Sequence, residues 1–162
     1  MKYFFVLGNH PALSMAELYS TLTITSGEYI APDVFVAEVA DVLNTKDLIK
    51  RIGGTIKVGH IVNTILNKSH DIFLASLESF EQVKKTGKFN FGISMYGQAK
   101  IDSRKIGLAL KQELKNQGLS CRFVVSREKT LSSVVVEQNK LLTSGQELVY
   151  IVHGSQILVG VT

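Results

Sequence analysis

The sequence has one cysteine, two prolines, no tryptophan and no long apolar run, and each shortage closes off a class of protein. A lone thiol, Cys121, can neither close an intramolecular disulfide nor share a metal with a second thiolate. The four histidines (His10, His60, His70, His153) fall at no metal-ligand spacing, so no metal site is expected. The apolar opening, Tyr3-Phe4-Phe5-Val6-Leu7, is cut by Gly8-Asn9-His10-Pro11 too early to form a hydrophobic targeting region. No stretch is long enough to span a bilayer, which points to a cytoplasmic protein with no membrane partner.

Catalytic signatures are missing too. There is no Gly-x-Gly-x-x-Gly, no phosphate-binding Gly-Lys-Ser/Thr loop, no Gly-x-Ser-x-Gly elbow and no His-Glu-x-x-His. Acid pairs such as Glu78/Glu81 sit at helical spacing and read as solvated faces. Arg122 beside Cys121 would favour a thiolate, but no His or Asp in the sequence is placed to complete a nucleophilic site. No catalytic residue is assigned.

What the chain does have is an uneven charge. Its 162 residues allow one compact domain or two small ones, and 45% hydrophobic with 20% charged residues is ordinary for a globular protein. Residues 1–80 carry six bases against eight acids, whereas residues 81–162 carry twelve bases against six acids. Such asymmetry predicts a polyanionic partner for the second half.

Hydrophobic periodicity divides the first half into strand and helix signals in the order βαββαβ, the split pattern of a ferredoxin-like fold. Lys2–Leu7 reads as a strand, and Ser14 with Glu17 matches a capping box ahead of a helix through Leu18 and Leu22. Glu28–Ile30 and Val34–Val39 read as strands around Ala31-Pro32-Asp33. Asn44 or Thr45 caps a second helix ending at Gly53-Gly54, and Thr55–Leu66 reads as a strand with Gly59 as a candidate bulge. The polar break Asn67-Lys68-Ser69-His70-Asp71 suggests two domains, 1–70 and 71–162.

In the second half Ile72–Lys85 reads as a helix with Leu74, Leu77 and Val83 apolar, and Phe89–Tyr96 as a strand bounded by Gly87 and Gly97. Asp102 or Ser103 caps a helix running to Gly118, with Ile106, Leu110 and Leu114 on one side and Arg104, Lys111 and Lys115 on the other. Cys121–Val125 reads as a strand. Leu131–Leu142 carries both strand and helix signals, and the continued pattern after Val134-Val135-Val136 favours helix. Glu147–Val152 and Ile157–Val161 make a hairpin through His153-Gly154-Ser155.

The positive signal for function lies between Lys100 and Lys129, where Lys100, Arg104, Lys105, Lys111, Lys115, Arg122, Arg127 and Lys129 face only Asp102, Glu113 and Glu128. The segment from Ser126 to Ser133 adds guanidinium, ammonium and hydroxyl donors ahead of a helix start, a combination suited to phosphate. Lys111 and Lys115 also fit a plain solvated face, and Ser132 and Ser133 also fit simple helix caps. Phe4, Phe5, Phe35, Phe89, Phe91 and Phe123 fall in apolar strand patterns and read as core, which favours backbone and shape recognition over base stacking.

Three blocks resemble the N-terminal region of archaeal-type tRNA guanine-N2 methyltransferases and related RNA methylases. They are Tyr3 to Leu18, Phe91-Gly92-Ile93-Ser94-Met95-Tyr96-Gly97, and Arg122 to Leu141, and together they reach across nearly the whole chain. The resemblance implies an α+β protein: an N-terminal ferredoxin-like domain followed by an α/β THUMP domain that holds the acceptor end of tRNA. It implies a basic loop at Arg127 and Lys129 with Ser132, Ser133 and Lys140 nearby. With Lys100, Arg104, Lys105 and Arg122 from the charge pattern, these are the expected RNA-binding residues. That family continues into a methyltransferase domain with an Asp/Asn-Pro-Pro-Tyr-type motif. Pro11 and Pro32 are the only prolines here, so the motif is lacking, no cofactor is expected and S-adenosylmethionine should not bind. The expected function is a tRNA-docking module, not itself an enzyme, working with a methyltransferase domain downstream or on a separate chain. The competing readings are a ferredoxin-like regulatory or protein-interaction module, and a small enzyme using Cys121 or a histidine.

Overall fold

Pro11, whose ring pre-sets a helical φ, opens helix α1 (Pro11–Thr21) one turn earlier than a Ser14 cap would allow. The computed structural model describes residues 1–66, 68–80, 88–98 and 100–162, which form two compact units, Met1–Ile61 with Thr162, and Val62–Val161. In the first unit α1 lies between strand β1 (Lys2–Leu7) and the hairpin β2 (Ile24–Ala31) and β3 (Val34–Val39). Helix α2 (Thr45–Arg51) then leads into β4 (Thr55–Leu66). Sheet order is β2-β3-β1-β4 with every pair antiparallel, the split βαβ arrangement expected from the sequence. Phe5 stands opposite Phe35 on one side and Val58 on the other, a cross-strand set that packs well on a pleated surface. Tyr3, Phe5, Leu7, Leu18, Phe35, Leu48 and Ile52 are buried together as the core of this unit.

Three local expectations change. Ser14 and Glu17 do not cap α1; their side chains bind Gly53 and Gly54 instead, because Pro11 has already started the helix. Gly59 keeps regular register opposite Phe4, and the irregularity falls where Leu7 pairs with Thr55. β2 begins four residues before Glu28, extended by pairing with β3. Asn44 caps α2 as expected, its side chain accepting the Asp47 N–H at 3.3 Å.

The second unit contains α3 (Ser69–Glu78), β5 (Phe89–Tyr96), α4 (Ser103–Asn116), β6 (Cys121–Val124), α5 (Ser133–Gln138), β7 (Gly145–His153) and β8 (Gln156–Val161). α3 ends at Glu78 with Ser79 and Phe80 in a turn, short of the expected Lys85; residues 81–85 and the assignments at Asn67, Glu81, Val83 and Gly87 lie outside the described residues. Strands run in the order β8-β7-β5-β6, with β5 parallel to both neighbours and β7 and β8 joined as a hairpin. Gly154 sits at φ 59 in that turn, a conformation glycine takes without penalty. β5 and β7 are buried along almost their whole length, as strands covered on both faces must be.

Ile106, Leu110 and Leu114 of α4 face this core. Gly107 lets the helix approach β6 so closely that a methyl group there would overlap the Phe123 ring. The ambiguous stretch after Leu131 is a short helix, α5, with the Ser132 hydroxyl accepting the Val135 N–H at 3.3 Å. Two reverse bonds close it: Lys140 N–H to the Glu137 carbonyl at 2.9 Å and Leu141 N–H to the Val136 carbonyl at 3.0 Å. That is a Schellman ending, with Lys140 at φ 54 in the place glycine usually takes.

Candidate nucleic-acid interface

The loop between β6 and α5 leaves the sheet beside the C-terminal half of β5 and is tied to it at two points. The Met95 N–H donates to the Lys129 carbonyl at 2.8 Å, and the Leu131 N–H donates to the Ser94 hydroxyl oxygen at 2.8 Å. The Ser94 hydroxyl in turn donates to the buried carboxylate of Glu147 on β7. Within the loop the Ser126 hydroxyl accepts the Glu128 N–H at 3.1 Å, which fixes the bend between Arg127 and Lys129. Opposite stands the first turn of α4, set by Asp102, whose carboxylate accepts the Lys105 N–H at 2.9 Å.

Between the two lies an open groove of about 660 Å³, lined by Arg104, Arg127 and Lys129 among others. Asp102 and Glu128 share its lining, so the acids temper the cations without cancelling them. Arg104, Arg127 and Lys129 make no ion pair among the described residues. Forked guanidinium donors beside an ammonium suit phosphate oxygens.

The remaining expected residues are spread more widely. Lys100 and Lys105 are exposed near the groove but do not line it. Arg122 pairs in register with Asn90 at the opposite end of β5. Lys140 belongs to that end as well, since the carbonyl of its neighbour Asn139 accepts the Asn90 amide at 3.0 Å. Ser132 uses its hydroxyl oxygen as a helix cap, and α5, at six residues, is too short to present the dipole of a full-length helix. One cradle for all nine residues is thus not formed: three meet in the groove.

Sequence reasoning missed Ser94 and Glu147, which hold the loop. The available signal was a polar residue inside an otherwise apolar strand, Ser94 within Phe91–Tyr96 and Glu147 ahead of Leu148–Val152.

A second hollow of about 420 Å³ lies at the other end of α4, lined by Lys111, Lys115 and the turn from Gly118 to Cys121. Burial pushes the Cys121 thiol up, and the nearby Lys111 ammonium opposes that only in part. A thiol held protonated is a poor nucleophile. In the first unit, a hollow of about 440 Å³ surrounds Asn9, His10 and the Glu17 carboxylate. Hydrogen bonds from the Gly53 and Gly54 amides hold Glu17 below the usual carboxylate range. Among the described residues no group of three or more His, Cys, Asp or Glu could hold a metal, and no helix is long and apolar enough to cross a membrane.

Solved structures share this architecture along 99% of the chain. TrmN from Thermus thermophilus matches with a TM-score of 0.62 at 13% identity, with 45% of its own chain covered. PH1313 from Pyrococcus horikoshii Ot3 matches at 0.59 and 8%, with 53% covered. A 4-thiouridine synthetase in complex with RNA and ATP matches at 0.58 and 14%, with 40% covered. The fold is that of a ferredoxin-like unit followed by a THUMP unit. The chain spans about half the length of these proteins or less. No protein-family model matches it, and no curated protein does. At these identities the likeness speaks for the fold, and the groove of the THUMP unit must be judged on its own residues.

Proposed function

We propose that this chain docks RNA through the phosphate backbone, with the acceptor end of a tRNA as the ligand and the groove of the THUMP unit as the contact. The observation that carries the reading is that three cations with no ion pair among the described residues line one groove, Arg104 from the first turn of α4 and Arg127 and Lys129 from a loop held from below. The 4-thiouridine synthetase of the same fold, solved with RNA bound, supports it. In this reading residues 71–162 grip the RNA, and residues 1–70 set its distance from a catalytic domain, on this chain or a separate one. A guanine-N2 methyltransferase in the cytoplasm is the assignment the sequence resemblance favours.

The test is salt-dependent tRNA binding by the wild type and by Arg104→Ala/Arg127→Ala/Lys129→Ala. Each phosphate contact contributes roughly 0.7 to 0.9 to the log–log slope, so losing three should flatten it by about 2 to 3. An unchanged slope would remove the groove from the reading. Equal, salt-sensitive capture of heparin would reduce it to general attraction for polyanions.

A further inference from the structure

The hollow formed by Lys111, Lys115 and the Gly118–Cys121 turn is the feature that the groove reading leaves unused. We infer that it is a second phosphate station for the same RNA, so that the backbone of a double-helical segment runs along α4. The inference rests on the proposed RNA docking and extends it.

Arg104, Leu108, Lys111 and Lys115 are spaced i, i+4, i+7 and i+11 on α4, and at 100° per residue they fall within a sector of roughly 60°. They form one exposed stripe leading from the first hollow to the second. Both hollows are also walled by the segments flanking β6: the loop after Val124 closes one and the turn before Cys121 closes the other. They are two ends of the same seam between α4 and β6. Eleven residues of helix rise about 16 Å. A duplex carries one phosphate per strand about every 3.4 Å of its axis, so a duplex whose axis lies parallel to α4 passes about five phosphates of one strand over that span.

Charge and chemistry agree with this path. Lys111 and Lys115 make no ion pair among the described residues. The nearest acid on the helix, Glu113, points to a different side and accepts the side-chain amides of Asn116 and Gln117 at 3.4 and 3.1 Å. Between the stations the stripe offers Leu108, which is 52% exposed, and no aromatic ring. The rings of Phe80, Phe89, Phe91 and Phe123 pack on one another instead. A surface with cations at both ends and no stacking platform fits the outside of a paired helix better than splayed single-stranded bases.

The experiment uses the whole chain, RNA duplexes of 4 to 14 base pairs, and Lys111→Ala/Lys115→Ala, two exposed substitutions that leave the core intact. Wild-type affinity should step up once the duplex exceeds about six pairs. The variant should lose that step, with its salt slope lowered by about 2 for long duplexes and unchanged for the shortest. Long duplexes should also shield Cys121 of the wild type from alkylation, and short ones should not. A variant that keeps the step and the slope, an unshielded Cys121, or tight binding of single strands with none to duplexes would each overturn the second station while leaving the groove standing. Absence of binding to tRNA and to every RNA tested would sink the proposed function itself.

Discussion

Both units tie down a connecting loop with a buried serine and a glutamate, but they place the glutamate in opposite settings. In the ferredoxin-like unit the Ser14 hydroxyl donates to the Gly54 carbonyl, and the Glu17 carboxylate accepts the Gly53 and Gly54 amides, both at 2.8 Å and close to solvent. In the THUMP unit Ser94 and Glu147 are fully buried, and they hold the backbone of a loop that carries Arg127 and Lys129. The first clamp holds two glycines, which present no side chains. The second holds a loop whose residues line a groove. A buried clamp resists competition from water, so it suits a loop that must present cations in a fixed geometry. The charge follows the same division: Glu17 is consumed by the fold, whereas Arg104, Arg127 and Lys129 make no ion pair among the described residues.

Cutting the buried clamp should have the larger effect. Ser94→Ala removes the acceptor of the Leu131 N–H and the donor to Glu147, and losing such a buried partner costs about 1 to 3 kcal/mol. Denaturant unfolding should register that loss, and at temperatures where the variant stays folded its affinity for tRNA should fall with the salt slope preserved. The cations would still be present, only less well held. If stability falls and affinity does not, the buried clamp serves the core alone and the contrast between the units collapses.

The solvent-facing carboxylate of the first clamp is tested by acid. Because the Gly53 and Gly54 amides lower the Glu17 pKa in the folded state, its contribution is present above the unfolded value, near 4.5, and is lost as pH falls through the lower folded value. Glu17→Gln should be less stable than wild type at neutral pH, and the gap should close as pH drops below 4.5 and through the lowered folded-state value. A gap that stays constant with pH would mean that the carboxylate charge contributes nothing there. RNA binding at neutral pH should be the same for both proteins.

How much of this was legible in the sequence depends on the range of the interaction. The βαββαβ order, the bounds of β1, β3, β4 and β5, and the α2 and α4 caps, narrowed to two neighbouring residues each and held by Asn44 and Asp102, follow from periodicity and from residues three apart. Ser14 and Glu17 also sit three apart, and that local pattern misled. Pro11 started the helix earlier, and Gly53 and Gly54, about forty positions away, claimed both side chains. In the groove, Arg127 and Lys129 were evident as neighbours in a loop, and Arg104 as one of several basic residues. Their meeting, and the separation of Arg122 and Lys140 from them, depended on the register of β5 against β6 and on where α5 ends. Neither is local. The Ser94–Glu147 pair joins positions 53 apart, and no short-range pattern connects them.

The smallest effect comes from the cation that the fold sends elsewhere. Lys140 holds a left-handed conformation at the end of α5, which costs a non-glycine residue about 1 to 2 kcal/mol. Lys140→Gly relieves that strain but adds conformational freedom to the unfolded chain, worth about 0.4 to 1 kcal/mol in the other direction. The variant should therefore be more stable by a few tenths to about 1 kcal/mol, readable as a higher denaturant midpoint with an unchanged m-value. It also deletes a surface charge at the end of β5 opposite to the groove, so the comparison between Glu17 and the groove cations makes a second demand. If RNA follows α4 from Arg104 to Lys115, the tRNA salt slope should stay the same in Lys140→Gly. A slope lowered by about 1 would bring Lys140 into the contact surface and require the RNA to reach the far side of the sheet as well.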